Sequence, residues 1–183
     1  MSESVLTRIP LVWIILGSVS DAERMKEAEQ TLNVLTIPSE VYALSAHRTP
    51  DDVSQLARSA KERGVEVIIA AAGGAAHLPG VIAANTDLPV VGVPISGKEG
   101  LGGLDALLSI AQMPPGVPVG TMSVNGAKNA ALFSARIVAA KHPEYAPHLK
   151  RYREKMADEV RAKNKQLHAL GISSYLATLP PKK

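Results

Sequence analysis

The sequence contains no cysteine, which excludes disulfides, thiolate nucleophiles and zinc–thiolate sites. Aromatic residues are scarce: one Trp, one Phe and four Tyr in 183 residues. Any core must therefore be aliphatic and alanine-rich, and recognition by stacking several bases on aromatic rings is not expected. No apolar run is long enough to span a bilayer. The opening MSESVLTRIP also lacks the basic start and long apolar stretch of a signal peptide. The expectation is a cytoplasmic protein with no membrane partner. Neither a Walker loop nor a Gly-x-Gly-x-x-Gly dinucleotide turn is present, and no three-ligand metal cluster is evident.

Charge is present but unevenly placed. Residues 1–140 carry 10 Lys/Arg against 13 Asp/Glu, whereas residues 141–183 carry 10 against 4. A basic tail can bind nucleic acid. Here the charges interleave with an apolar stripe, so a solvated helix face is expected and nucleic acid is not an expected partner.

The length suits one domain, with a core over about 10–140. Pro10–Leu16, Glu40–Leu44, Val65–Ala71 and Pro89–Val93 read as buried strands, and Val117–Val124 as a weaker fifth. Near-continuous apolar strands separated by helices predict a parallel sheet covered on both faces, a three-layer α/β/α fold. Ser20-Asp21 precedes a helix carrying Met25, Ala28, Leu32 and Leu35 at helical spacing. Thr49-Pro50-Asp51-Asp52 precedes another, with Val53, Leu56 and Ala60 on one face and Gly64 at its end. Further helices are expected at about 77–86, 103–111 and 127–140. A last helix, about 144–170, bears Tyr145, Leu149, Tyr152, Met156, Val160, Leu167 and Leu170 on a charged rod. Its length of roughly 40 Å at 1.5 Å per residue would overhang so small a domain. Packing across a subunit boundary is preferred to wrapping its own domain.

Ligands of open parallel sheets bind beyond the strands' carboxyl ends. Three loops there hold unusual residues. In Gly17-Ser18-Val19-Ser20-Asp21, the glycine permits a tight turn, and hydroxyls with free helix-start amides suit an anion. Asp21 could accept from sugar hydroxyls, but a plain helix cap is the simpler reading. In Ser45-Ala46-His47-Arg48-Thr49-Pro50, a charged pair stands between a strand and a helix, where folding does not need it. Arg48 can grip phosphate, Ser45 can add a hydroxyl, and His47 can move protons near neutral pH. A loop histidine is nonetheless often only a surface residue. In Gly73-Gly74-Ala75-Ala76-His77-Leu78-Pro79-Gly80, paired glycines admit a ligand close to the backbone. His77 could contact that ligand, or merely cap or orient the turn. Together the loops suit a small phosphorylated ligand and histidine acid–base chemistry.

GSVSD, SAHRTP, GGAAHLPG and the later QMPPGVPVGT resemble, in order and spacing, the motifs of the PurE family, from about Ile14 to Ala139. The resemblance implies a flavodoxin-like sheet with a long carboxyl-terminal oligomerisation helix, and a homo-octamer. It also implies an isomerase of purine biosynthesis that needs no metal or organic cofactor. The reaction it implies moves a carboxylate from the amine of an aminoimidazole ribonucleotide to ring carbon 4, by loss and recapture of carbon dioxide. By the same resemblance, His47 is the general acid and base, and His77 orders its loop and assists. Ser18 and Asp21 touch substrate, with Asp21 on the ribose. Ser45 and Arg48 hold the phosphate, and Gly73, Gly74 and Ala75 line the carbon dioxide pocket. Gly17, Ser20, Ala46 and Leu78 complete the implied substrate-binding set. Trapping carbon dioxide needs a cover, for which Gly97–Gly103 (GKEGLGG) is the candidate.

Leu101-Gly102-Gly103 stands where bacterial members commonly carry Leu-Ser-Gly, and the turn at Val124–Ala127 is short. Both are closer to archaeal-type members. The family's other branch carboxylates the free amine directly but has a different third loop, so a mutase is the preferred reading. Two further alternatives are a non-catalytic nucleotide-binding module on the same sheet and a paralogue recruited to another carboxylated azole ribonucleotide.

Overall fold

A computed structural model of the chain describes residues 9–97 and 100–180. Five parallel strands form one sheet: β1 (Val12–Leu16), β2 (Ser39–Ala43), β3 (Val67–Gly73), β4 (Val90–Ile95) and β5 (Gly120–Thr121). Their spatial order is β2-β1-β3-β4-β5. The helices are α1 (Ala22–Val34), α2 (Pro50–Ser59), α3 (Leu78–Ala83), α4 (Leu104–Ala111), α5 (Ala127–Lys141) and α6 (Ala146–Ala177). This is the expected flavodoxin-like α/β/α arrangement. Right-handed crossovers put α1 on one face and α2, α3 and α4 on the other, and α5 joins α1.

Successive strand residues point to opposite faces, so β1 and β3 serve two cores at once. Trp13, Ile15, Ile68 and Ala70 pack with Val53, Ala57, Ile82 and Ile110 on the α2–α4 side. Val12, Ile14, Leu16, Val67, Ile69 and Ala71 are buried toward the other side. There α1 buries Met25, Ala28 and Leu32, while α5 buries Ala127, Ala130, Ala131 and Ala135. Small side chains on α5 let the two helices approach closely, which is how a chain poor in aromatics still fills its core.

The structure corrects several expectations. The second strand is a half-exposed edge rather than a buried strand, with Ser39 and Glu40 in its sequence. The fifth shrinks to Gly120–Thr121, because Pro118 lacks the N–H a ladder needs. Helix α3 ends at Ala83, short of residue 86, and Asn85 returns its side-chain amide to the Val81 carbonyl at 2.9 Å. Helix α6 runs past residue 170 to Ala177, broken at Gly171, whose φ of 70° is left-handed.

The chain divides into two compact units, Met1–Ala146 and Pro147–Lys183. Within the second, no residue of α6 is buried, and Met156, Val160, Leu167 and Leu170 are exposed.

On the first unit, Glu66 at the entrance to β3 accepts from Lys141 Nζ at 2.6 Å and lies 3.5 Å from His142 Nε2. Burial pulls its carboxyl upward, but hydrogen bonds and charge from Lys141 and His142 outweigh this and hold it below the usual carboxylate range. A lowered folded-state value means the stabilisation is present above the unfolded value and is lost as pH falls through the folded one. Glu66→Gln should therefore lower the thermal midpoint at about pH 7 and converge with the parent in acid. Parallel melting curves across pH check this, and a difference that persists at the acid end would refute it.

Candidate active site

The strand order reverses between β1 and β3, and the loops after β1, β2 and β3 meet at their carboxyl ends. A cavity of about 240 Å³ opens there, lined by Gly17, Ser18, Asp21, Ser45, Ala46, His47, Ala72, Gly73, Ala76, His77 and Leu78. A second lobe of about 250 Å³ shares Gly17, Ser18 and Ser45 and adds Arg48 and Thr49. One lobe thus holds the two histidines and the carboxylate, and its neighbour holds the guanidinium. Among the described residues, no carboxylate pairs with Arg48, which leaves its fork available to an anion.

Each loop is held by its own backbone chemistry. Ser18 Oγ accepts from Ser20 N at 3.3 Å, capping a short 3-10 turn over Val19–Asp21. The capping role expected of Asp21 therefore falls to Ser18, and the Asp21 side chain makes no cap bond. It faces the cavity, and burial raises its carboxyl above the ordinary range, against a backbone hydrogen bond from Ser18 and the charge of Arg24. In the second loop, Thr49 Oγ1 donates to the Ser45 carbonyl and accepts from Ser45 N, both at 3.1 Å. Ser45 Oγ accepts from Arg48 N at 3.2 Å. These bonds close a tight turn that presents His47 and Arg48 side by side.

The third loop is the most constrained. A Cβ on Gly73 would lie 3.0 Å from the Ile95 carbonyl oxygen of β4, so glycine is what lets β3 end this close to its neighbour. Gly74 has a left-handed φ of 61°, and Ala76 adopts 45°, a region costly for a residue with a Cβ. The Ser109 hydroxyl from α4 donates to the Ala75 carbonyl and holds the turn from outside. His77 precedes α3 but makes no side-chain cap bond, contrary to the capping alternative. Its Nδ1 lies 2.7 Å from His47 Nε2, with the rings edge-on at 77°. One nitrogen must donate and the other accept, so the pair shares a proton at this junction and fixes each other's tautomer.

Of the expected set, Gly17, Ser18, Asp21, Ser45, Ala46, His47, Gly73, His77 and Leu78 line the main lobe, and Arg48 lines the second. Ser20, Gly74 and Ala75 line neither: Ser20 backs Ser18, and Gly74 and Ala75 form the turn behind His77. Ala72 and Ala76 in the main lobe, and Val19, Ala43, Leu44 and Thr49 in the second, lie outside the expected set. Thr49 lies within the SAHRTP motif, and Ala76 immediately precedes His77. The expected cover, Gly97–Gly103, includes Lys98 and Glu99, which lie outside the described residues. No group of three or more His, Asp or Glu side chains is placed to hold a metal ion among the described residues. None of the described helices is long and apolar enough to cross a membrane.

Comparison with known proteins bears on this geometry. A family profile described as AIR carboxylase matches residues 11–159. The N5-carboxyaminoimidazole ribonucleotide mutase of Pyrococcus horikoshii is 52% identical over 174 residues, covering 95% of this chain and 98% of that one. The protein of the same name from Thermotoga maritima is 51% identical, covering 92% and 98%. That of Mycobacterium tuberculosis is 51% identical, covering 88% and 92%. Among solved structures, Treponema denticola PurE superposes with a TM-score of 0.77 at 27% identity, covering 86% of this chain and 98% of that one.

Proposed function

The chain belongs to the AIR carboxylase family, and from that premise we propose that its cavity converts 5-(carboxyamino)imidazole ribonucleotide to 4-carboxy-5-aminoimidazole ribonucleotide, an isomerisation of purine biosynthesis. The observation that carries the reading is the His47–His77 contact in one lobe with the guanidinium of Arg48, unpaired among the described residues, in the next. Relatives from archaea and bacteria alike bear the mutase name, so the archaeal-like departures at Leu101–Gly103 and Val124–Ala127 do not argue for the carboxylase.

The phosphate sits in the outer lobe, where Arg48 and the Ser45 hydroxyl receive it. Asp21 and Ser18 take the ribose, and the aminoimidazole ring lies against His47. Carbamate cleavage breaks the exocyclic nitrogen–carbon bond. Carbon dioxide leaves, and the nitrogen takes its proton from His47. The ring is then an electron-rich enamine whose carbon 4 attacks the carbon dioxide held beside Gly73. The carbon 4 proton returns to His47, aromaticity is restored, and the histidine ends as it began. No atom is gained or lost overall. His77 keeps the second histidine nitrogen occupied, so that the working nitrogen faces the ring. The same reading has a homo-octamer in the cytoplasm, with the apolar side of α6 against neighbouring subunits.

The test is a stopped assay of the pure protein. One arm offers the carbamate ribonucleotide without bicarbonate, and the other offers 5-aminoimidazole ribonucleotide with excess bicarbonate. Conversion in the first arm alone is the expected result. Turnover only in the second would make the chain a direct carboxylase, and turnover in neither would point to another azole ribonucleotide.

A further inference from the structure

Arg24 is out of place by local rules. It lies in the first turn of α1, where the helix dipole disfavours a cation. What holds it there is a contact far away in sequence. Arg24 Nη1 donates to Ser96 Oγ at 2.7 Å, just beyond the end of β4. Ser96 is itself gripped twice by Asn125. Its N–H donates to Asn125 Oδ1 at 3.1 Å, and its hydroxyl oxygen accepts from Asn125 Nδ2 at 2.8 Å. Asn125 stands in the turn after β5 with a left-handed φ of 56°, and its own N–H donates to the Pro94 carbonyl at 2.8 Å. Asparagine tolerates that conformation better than most residues. The carboxyl-end loops after β1, β4 and β5 are thus tied together, with β3 lying between the first two.

Resting on the functional reading above, we propose that Arg24 is a positioning residue of this site: anchored by Ser96 and Asn125, it fixes the first turn of α1 and so aims Asp21, the residue before that helix and part of the cavity wall, at the ribose hydroxyls. A local cost retained without a local gain is the mark of a residue serving a site. Asp21 meets the ribose rather than the ring, so its aim governs substrate affinity more than the proton transfers.

Arg24→Gln should raise KM for the carbamate ribonucleotide about tenfold while kcat changes less than about twofold. Arg24→Lys, which can still donate to Ser96, should recover part of that loss, and Arg24→Gln added to Asp21→Asn should cost little more than Asp21→Asn alone. Calorimetric titration with ribose 5-phosphate reads the same loss of affinity without turnover. Parental ribose 5-phosphate affinity in Arg24→Gln, or full additivity with Asp21→Asn, would overturn the inference whatever the substrate. Weakened ribose 5-phosphate binding in Arg24→Gln of a protein whose parent does not turn over the carbamate would support it and overturn only the functional reading.

Discussion

His47→Asn is expected to reduce kcat by about 10²–10⁴-fold while the protein still folds and still binds the ribonucleotide. The first half rests on the histidine's double duty. A proton must reach the leaving nitrogen and another must leave carbon 4, and asparagine can do neither. The second half rests on position. His47 is exposed on a loop, and substitutions at such sites usually change stability by no more than about 0.5 kcal/mol. The turn itself is held by Ser45 and Thr49 rather than by the histidine. Phosphate and ribose contacts lie with Arg48, Ser45 and Asp21, so product affinity measured by calorimetry should stay near that of the parent. His77→Asn should fall between the two, because His47 remains but its ring is no longer held at 2.7 Å. Near-parental kcat in His47→Asn would remove the proposed mechanism, and a collapse of the circular dichroism signal would mark the histidine as structural.

Trp13→Ala should cost about 3–5 kcal/mol, a large share of the about 5–15 kcal/mol that holds a typical domain together. Trp13 is 0% exposed at the start of β1. Tyr42 meets its ring edge-on with centroids 5.2 Å apart, and the Arg63 guanidinium lies 4.6 Å from its centre. Its indole Nε1 is buried with no hydrogen-bond partner among the described residues, and an orphaned donor costs about 1–3 kcal/mol. Trp13→Phe deletes that donor together with some of the ring, so the two changes offset, and its cost should be well under half that of the alanine. Thermal melts at one protein concentration distinguish them. At about 2–4 °C per kcal/mol for this size, the alanine should drop the midpoint by about 6–20 °C. Equal losses for both variants would mean the indole N–H has a partner after all.

Trp13 also marks how far the sequence could be read. Strands β1, β3 and β4 are covered on both faces and so are written as unbroken apolar runs, which is why they were legible. Strand β2 is an edge, and its residues match a half-exposed environment that hydropathy alone does not separate from a buried one. The three loops were legible because glycines and charges have no folding role between an apolar strand and a helix. Their mutual geometry was not. His47 and His77 are thirty residues apart and follow strands that lie on either side of β1, so their contact depends on strand order rather than on any local pattern. The Arg24–Ser96–Asn125 link spans still more of the chain and includes no motif residue. The cap at Ser18 was misplaced onto Asp21 because a 3-10 turn precedes α1 and shifts the helix start by one turn, which residue preferences do not register.

The placement of β3 has a consequence for the chain as it is made. Every residue of the proposed pocket lies between Gly17 and Leu78, so all its chemistry leaves the ribosome before β4 does. At that moment β3, with the sequence VIIAAAG, can pair with β1 on one side only. Its other edge stays bare until Val90–Ile95 arrives. An apolar strand with an open edge is a template for the wrong partner. The short interval of translation between residues 73 and 95 is therefore when the nascent chain is most exposed to aggregation, and it is when a chaperone would matter most to it.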